Sequence, residues 1–382
     1  ELLHKTADVE TVIRRAVENE QCVCWIRNTV AEARLGYNSL REKYPAWQID
    51  LFHARSALSD RLEIEKRVVD SFGKNSIGEE RKGRVVIATQ VVEQSLDVDF
   101  DVMITDLAPV DLVIQRAGRL CRHTRDKLGN RTNDSDERGT PVLYVLTPKP
   151  IDAPGDRWLT NLFPQGRFVY SNHGQLWLTA RLLKNKKGFH VPEDVRELTE
   201  GVFGAEAQYL IPEGLIERAY EAEGQNMADR SIAQLNALKL RDGYSEGSSN
   251  RWWDEAKTPT RLGEPTTTVY LARWSNNQLK PWSEGEIAWQ QSAVQIRTYY
   301  VAEEAPADDE LQKAIEIIKE QLPSNGKWGV MLPLIPYEGE TWQGKAKNED
   351  GELVTVYYNR ELGLMREDEL FALKEGESHE SD

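Results

Sequence analysis

Apolar residues in the first 150 positions fall in short unbroken runs separated by amphipathic segments. Residues 22–26 (CVCWI), 49–52 (IDLF), 84–89 (RVVIAT), 101–106 (DVMITD) and 141–147 (PVLYVLT) each read as a strand. Continuous rather than alternating apolar character belongs to strands covered on both faces, the habit of a parallel sheet. Between the first two runs, Val30, Ala33, Tyr37, Leu40 and Tyr44 recur at helical spacing, with Asn28 and Thr29 as N-cap candidates. Ile64, Val68 and Phe72 form the inner face of a second helix that Ser59 or Asp60 can cap. This alternation predicts an α/β fold, a parallel sheet flanked by helices.

After Pro148-Lys149-Pro150 the texture changes. Residues 170–200 carry helical patterning broken at Gly188 and Pro192, and 212–240 read as a long connecting helix. GYSEGSSN at 243–250 has the composition of a linker. Beyond it, residues 266–274, 293–301 and 352–359 read as strands and 308–322 as one amphipathic helix, a small α+β domain. The expected division is therefore 1–205, a linker helix and loop at 206–248, and a last domain at 249–382 with an acidic tail. Tryptophans at 252, 253, 274, 282, 289, 328 and 342 suit an aromatic core there better than a stacking platform for bases.

The net charge of −15 changes the picture less than its distribution. Residues 1–150 hold 23 Lys and Arg against 24 Asp and Glu, whereas 301–382 hold 8 against 20, a local net of −12. The first part can thus present a basic site, and the acidic last part favours a protein partner over DNA. Three cysteines without a CxxC pair give no zinc signature; Cys22 and Cys24, two apart in a strand, suit packing on one face. With no apolar run of membrane-spanning length and no secretory signal pattern, a cytoplasmic protein is expected. The chain opens on Glu1 rather than methionine, so it is expected to be part of something longer.

The candidate chemistry lies in QRAGRLCRH, residues 115–123. Read as a helix, Gln115, Arg119 and Arg122 share one face, while Arg116 and His123 lie on a neighbouring stripe. A ridge of guanidinium groups suits an anion, most naturally phosphate. The loop from Arg125 to Gly139, rich in Asp, Asn and Gly, reads as mobile. GKNS at 73–76 is no Walker loop: Val68 and Asn75 stand where that motif needs a glycine and a hydroxyl.

The stretch 85–123 resembles motifs V and VI of superfamily-two helicases in order, spacing and surrounding elements. The resemblance implies a RecA-like domain in which Thr89, Gln90 and upstream Arg55 touch the nucleic-acid backbone and Asp97 touches the nucleotide. It makes Arg119 and Arg122 arginine fingers, aided by Gln115, with Arg116 and Gly118 structural; Arg116 would pair with an acidic neighbour, and His53 would shape its loop. Cys121 stands where the family has a glycine. More narrowly, WIRNTVAEA (25–33), HARSALSDR (53–61), ATQVVEQSLDVDFD (88–101), QRAGRLCRH and RLGEPTTTVYLARW (261–274) resemble the helicase–nuclease recruited by the RNA-guided complexes of type I CRISPR systems. That family implies an ATP- and Mg2+-dependent single-stranded DNA translocase in antiviral defence. Its partners would be single-stranded DNA and a type I surveillance complex, with a phage-encoded inhibitor as a further candidate. This chain would be the second RecA-like domain, a linker and the C-terminal domain. It carries neither a Walker lysine loop nor a His-Asp metal motif, and Asp254–Lys257 (DEAK) only imitates a DEAH box, so the chain alone should hydrolyse nothing. The rival readings are a fragment of a DEAH-type RNA helicase or restriction translocase, or a non-catalytic docking module.

Overall fold

Residues 1–93, 96–166, 169–236, 265–327 and 329–375 are described by a computed structural model. The buried runs become the first sheet. Its elements are β1 (Leu2–Leu3), α1 (Thr6–Glu18), β2 (Val23–Ile26), α2 (Val30–Lys43), β3 (Ile49–Phe52), α3 (Leu58–Phe72), α4 (Gly78–Arg81), β4 (Val85–Ala88), β5 (Val102–Asp106), α5 (Val110–Ala117) and β6 (Leu143–Leu146). The strand order is β1-β6-β5-β2-β4-β3, and every pairing is parallel.

Successive side chains of a strand point to opposite faces, and both faces here are covered. Val23 and Trp25 enter a core with Val9 and Ile13 of α1 and Tyr37 and Leu40 of α2. Cys24 and Ile26 enter a second core with Ile64, Val68 and Phe72 of α3. β4 divides the same way, Val85 and Ile87 against Val86 and Ala88. Cys22 and Cys24 are free, buried thiols in one core. Thr29 caps α2, accepting the Glu32 N–H at 3.1 Å and donating to its carboxylate at 2.9 Å.

Three helices follow, α6 (His173–Lys186), α7 (Val195–Phe203) and α8 (Glu213–Asn236), broken between the first two where Gly188 and Pro192 fall. Leu176, Trp177, Leu198 and Leu215 cover the first core. The linker signature, Trp252, Trp253, Asp254–Lys257, Trp328 and the end of the tail lie outside the described residues.

The second sheet comprises β7 (Thr266–Ser275), β8 (Gln278–Pro281), β9 (Ala293–Arg297), β10 (Glu303–Glu304), β11 (Gly329–Pro336), β12 (Trp342–Lys347), β13 (Leu353–Asn359) and β14 (Gly363–Arg366), with helices α9 (Ala288–Gln291), α10 (Asp309–Lys319) and α11 (Glu367–Glu375). The order β14-β13-β12-β11-β7-β8 is antiparallel except for β11 beside β7; β9 adds to β7 and β10 to β12. Trp282 is buried, edge-on to Trp342 at 5.6 Å and to Tyr358 at 4.8 Å, so these rings build a core. The strand expected over 293–301 ends at Arg297, where the chain turns and carries Tyr300 toward Arg55.

The two sheets meet through buried polar ties. Asp60 Oδ2 accepts from Trp282 Nε1 at 2.8 Å and from the Tyr358 hydroxyl at 2.6 Å. Arg34, with no solvent exposure, donates to the Leu362 and Leu364 carbonyls and pairs with Glu369. At Gly363 (φ +69°) a Cβ would come within 2.3 Å of the Arg55 carbonyl, so only glycine fits this approach. Among the described residues no helix is long and apolar enough to cross a membrane.

Candidate functional site

Residues 97–101, DVDFD, organise the site. Val98 and Phe100 are fully buried, bridged to Gly73 and Leu120, and the Phe100 ring lies 5.1 Å from that of Phe72. Period-two alternation then turns Asp97, Asp99 and Asp101 the other way. Each carboxylate holds its own set of cations. Asp97 Oδ1 accepts from Arg122 Nε at 2.9 Å and His123 Nε2 at 2.8 Å. Asp99, fully buried, accepts from Arg125 at 2.5 Å, from Arg138 at 3.1 Å and from the Arg122 backbone N–H at 2.7 Å. Asp101 holds Arg81 at 2.8 Å and shares Arg138, at 2.9 Å. Burial works to raise the Asp97 pKa, but the His123 hydrogen bond and the His123, Arg122 and Lys74 charges hold it below the usual value.

Residues 115–123 are not the single helix that their spacing suggests. α5 ends at Ala117, with Gly118 as its C-cap. The chain then bridges to Phe100, whose N–H donates to the Arg119 carbonyl at 3.0 Å and whose carbonyl accepts the Cys121 N–H at 2.9 Å. Gln115, Arg119 and Arg122 therefore share no helical face: the β-bridge outcompetes another helical turn. Gln115 stays exposed on α5. Arg122 and Asp97 have side chains 39% and 49% exposed, within reach of a ligand.

Cys121 has a left-handed φ of +45°, which explains a glycine preference at this position. Such a conformation costs a non-glycine residue about 1–2 kcal/mol, while glycine loses about 0.5–1 kcal/mol more chain entropy on folding. Cys121→Gly is therefore expected to leave stability unchanged or raise it by up to about 1.5 kcal/mol in urea unfolding. A loss of stability would show that thiol packing outweighs the strain.

Arg119 Nη2 donates to the Glu93 carbonyl at 2.9 Å, whereas its buried Nε has no hydrogen-bond partner among the described residues. Burial and the neighbouring Arg122 charge both lower its pKa. Two adjacent guanidinium groups and an orphaned N–H make a place that an oxyanion would satisfy.

Arg116 is fully buried: it pairs with Glu93 at 2.7 Å and donates to the Thr105 hydroxyl at 2.6 Å and the Asp106 carbonyl at 3.1 Å. Glu93 thus serves both groups, its carboxylate holding Arg116 and its carbonyl Arg119. It closes a 3-10 turn, Gln90–Glu93, that begins at the end of β4. Thr89 there is buried, and the Gln90 amide donates to the Asn28 carbonyl at 3.0 Å. The Thr89 hydroxyl expected to face a phosphate therefore sits below the surface, because β4 is covered on both faces up to its end.

Arg55 is also placed differently from expectation. Its guanidinium pairs with Glu369 at 2.7 Å, donates to the Tyr300 hydroxyl at 2.7 Å and lies over the Tyr300 ring at 4.2 Å. It is a tie between the sheets, not a group turned toward a strand of nucleic acid. His53 beside it is buried; its Nδ1 accepts the Arg55 N–H at 3.1 Å, and burial with the Arg34 and Arg55 charges pushes its pKa well down. The loop expected to be mobile is fastened: Arg125, fully buried, also donates to the Ser76 and Gly129 carbonyls at 2.8 Å. Glu93, Asp99, Asp101, Arg125 and Arg138 were not singled out by sequence; the aspartate alternation at 97–101 is the signal that points to two of them.

Residues 19–125 match the family model described as CRISPR-associated nuclease/helicase Cas3, C-terminal. The chain is 39% identical over 184 residues to the CRISPR-associated endonuclease/helicase Cas3 of Escherichia coli K12, covering 47% of this chain and 19% of the relative. With the Cas3 of Thermus thermophilus it shares 29% over 342 residues, 82% of this chain and 34% of the relative. The chain thus spans about a fifth to a third of these relatives. The solved structure of T. fusca Cas3 with ATP superposes with a TM-score of 0.71 at 23% identity, covering 96% of this chain and 42% of that one. A chain of a CRISPR RNA-guided surveillance complex, pre-nicking, superposes at 0.64 with 22% identity, covering 96% and 44%. The fold, the matched motifs and the relatives agree: this chain is similar to the C-terminal part of Cas3 CRISPR-associated nuclease/helicases.

Proposed function

We propose that the chain is the finger-bearing half of an ATP-driven single-stranded DNA translocase. The carrying observation is the cluster of Arg119, Arg122 and Asp97, partly exposed and cationic, with a buried guanidinium N–H that finds no hydrogen-bond partner among the described residues. Arg119 and Arg122 place charge on phosphoryl oxygens as they separate, Asp97 receives the ribose hydroxyls, and Gln115, exposed on α5, is a further candidate for the phosphate or the attacking water. Among the described residues no three His, Cys, Asp or Glu side chains converge as metal ligands. On this reading Mg2+ enters with the nucleotide and is held by a first RecA-like domain, which also supplies the Walker lysine. Gln90, with Thr89 beneath it, sits at the carboxyl end of β4, where open α/β sheets meet their ligands, and serves the DNA backbone. Segment 1–205 acts as the second RecA-like domain, 206–248 as linker and 249–382 as the C-terminal domain, in cytoplasmic antiviral defence with an RNA-guided surveillance complex as partner. A phage-encoded inhibitor is a further candidate partner.

The test is ATP hydrolysis by the longest polypeptide that carries this sequence, with and without single-stranded DNA. Stimulation is expected, and Asp97→Ala should raise KM for ATP about tenfold, the value of one charge-assisted hydrogen bond. Absence of DNA-stimulated hydrolysis would overturn the reading.

A further inference from the structure

The loop that follows the finger segment returns to grip it. The peptide units on either side of His123 are held from two directions. Asp99 accepts the Arg122 N–H at 2.7 Å and the His123 N–H at 3.4 Å, while Arg138 Nη2 donates to the His123 carbonyl at 2.5 Å. Arg138 in turn is fixed by Asp99, Asp101 and Asp136, the last at 2.6 Å, and Arg125 neutralises the far side of Asp99. Neither Asp99 nor Arg138 lies on the exposed edge where Arg122 meets Asp97: Asp99 has no solvent exposure and the Arg138 side chain 6%. A buried hub of alternating charge is costly to assemble and destabilising to break, so it fixes backbone geometry more firmly than a neutral loop could.

We propose that Asp99 and Arg138 are positioning residues for the Arg122 finger, and that the 124–139 loop is the device that sets its reach. The inference rests on the reading of Arg122 as a finger. A guanidinium misplaced by about 1 Å loses on the order of 10²-fold in rate without losing its affinity for the ground state.

Arg138→Met in the longest polypeptide should lower the kcat of DNA-stimulated ATP hydrolysis about 10²-fold with KM for ATP unchanged. Arg138→Lys should recover part of the rate by restoring the charge. In the same variant, hydrogen exchange at the Arg122 and His123 amides should speed up while amides of β2 and β4 keep their protection. If Arg138→Met fails to fold, Asp136→Ala removes the outer partner of Arg138 without burying a lone charge; the same changes are expected, smaller in size. A variant with loosened amides and unchanged kcat, alongside an inactive Arg122→Ala, overturns the inference and leaves the proposed function standing. Equal loss of kcat and of global protection would make the hub merely structural and overturn it too. An Arg122→Ala protein with full activity takes down both.

Discussion

Arg122→Ala and Arg119→Ala should each reduce DNA-stimulated ATP hydrolysis by roughly 10³-fold or more in the longest polypeptide that carries this chain. The size follows from where the charges sit. Both guanidinium groups lie at a partly water-excluded edge, where a cation aimed at developing phosphoryl charge acts in a lower dielectric than water and needs no reorganisation. Arg122 rests on Asp97 and Arg119 on the Glu93 carbonyl, so each is ordered before any ligand arrives. On the proposed reading the two serve one transition state, so the double variant should be little worse than either single one. Lysine should rescue poorly, because an ammonium cannot reproduce the planar fork that bonds the anion and the protein together. Steady-state kinetics of the alanine, double and lysine variants check this.

Glu369→Ala is expected to cost about 3–5 kcal/mol of stability, the penalty for leaving a buried cation unpaired. Its carboxylate pairs with Arg34, which has no exposure, and with Arg55, whose side chain is 15% exposed. The Glu369 side chain is itself 9% exposed, so solvent screens the pairs weakly. Burial works to raise the Glu369 pKa, but Arg55 and Arg34 outweigh it and hold the carboxyl below its usual value. A carboxyl depressed in the folded state contributes stability that is present above its unfolded pKa and is lost as pH falls through the folded one. The gap between wild type and Glu369→Ala should thus be full at pH 7 and shrink on acidification below about pH 4. Urea unfolding at both pH values measures it; a gap that widened in acid would mean that the ion pairs are not the cause. Because these ties join α2 and the 53–57 loop to β14 and α11, the second sheet rides with the first.

Much of this architecture is legible in the sequence because the chain writes the same message at several levels. The runs at 22–26 and 85–88 are apolar on both alternating sets, which only a doubly covered strand requires, and β2 and β4 sit there. The second sheet is harder to read. β11 carries Pro333 and Pro336, and β12 is polar with a glycine at 344, so neither shows a clear strand pattern; pairing with neighbours overrides both signals.

The site divides in the same way. Residue types and order point to Asp97, Arg119 and Arg122, and the fold brings Asp97 to Arg122. Helical spacing fails from Gly118 onward because the competing partner, the backbone of Phe100, is about twenty residues away and invisible to a local pattern. Arg55 misleads for a similar reason. An arginine at a strand end resembles a phosphate ligand until the distant Glu369 and Tyr300 claim it. Only the alternation of Asp97, Asp99 and Asp101 around two buried apolar residues offered a local sign of the hub.

The most direct measurement of the central claim sets two quantities for Arg122→Ala side by side, ATP turnover at saturating single-stranded DNA and the Kd for that DNA. A nucleotide-facing finger predicts turnover reduced by roughly 10³-fold and an unchanged Kd. A Kd that worsens in proportion to the rate would instead place the arginine on DNA and contradict the account.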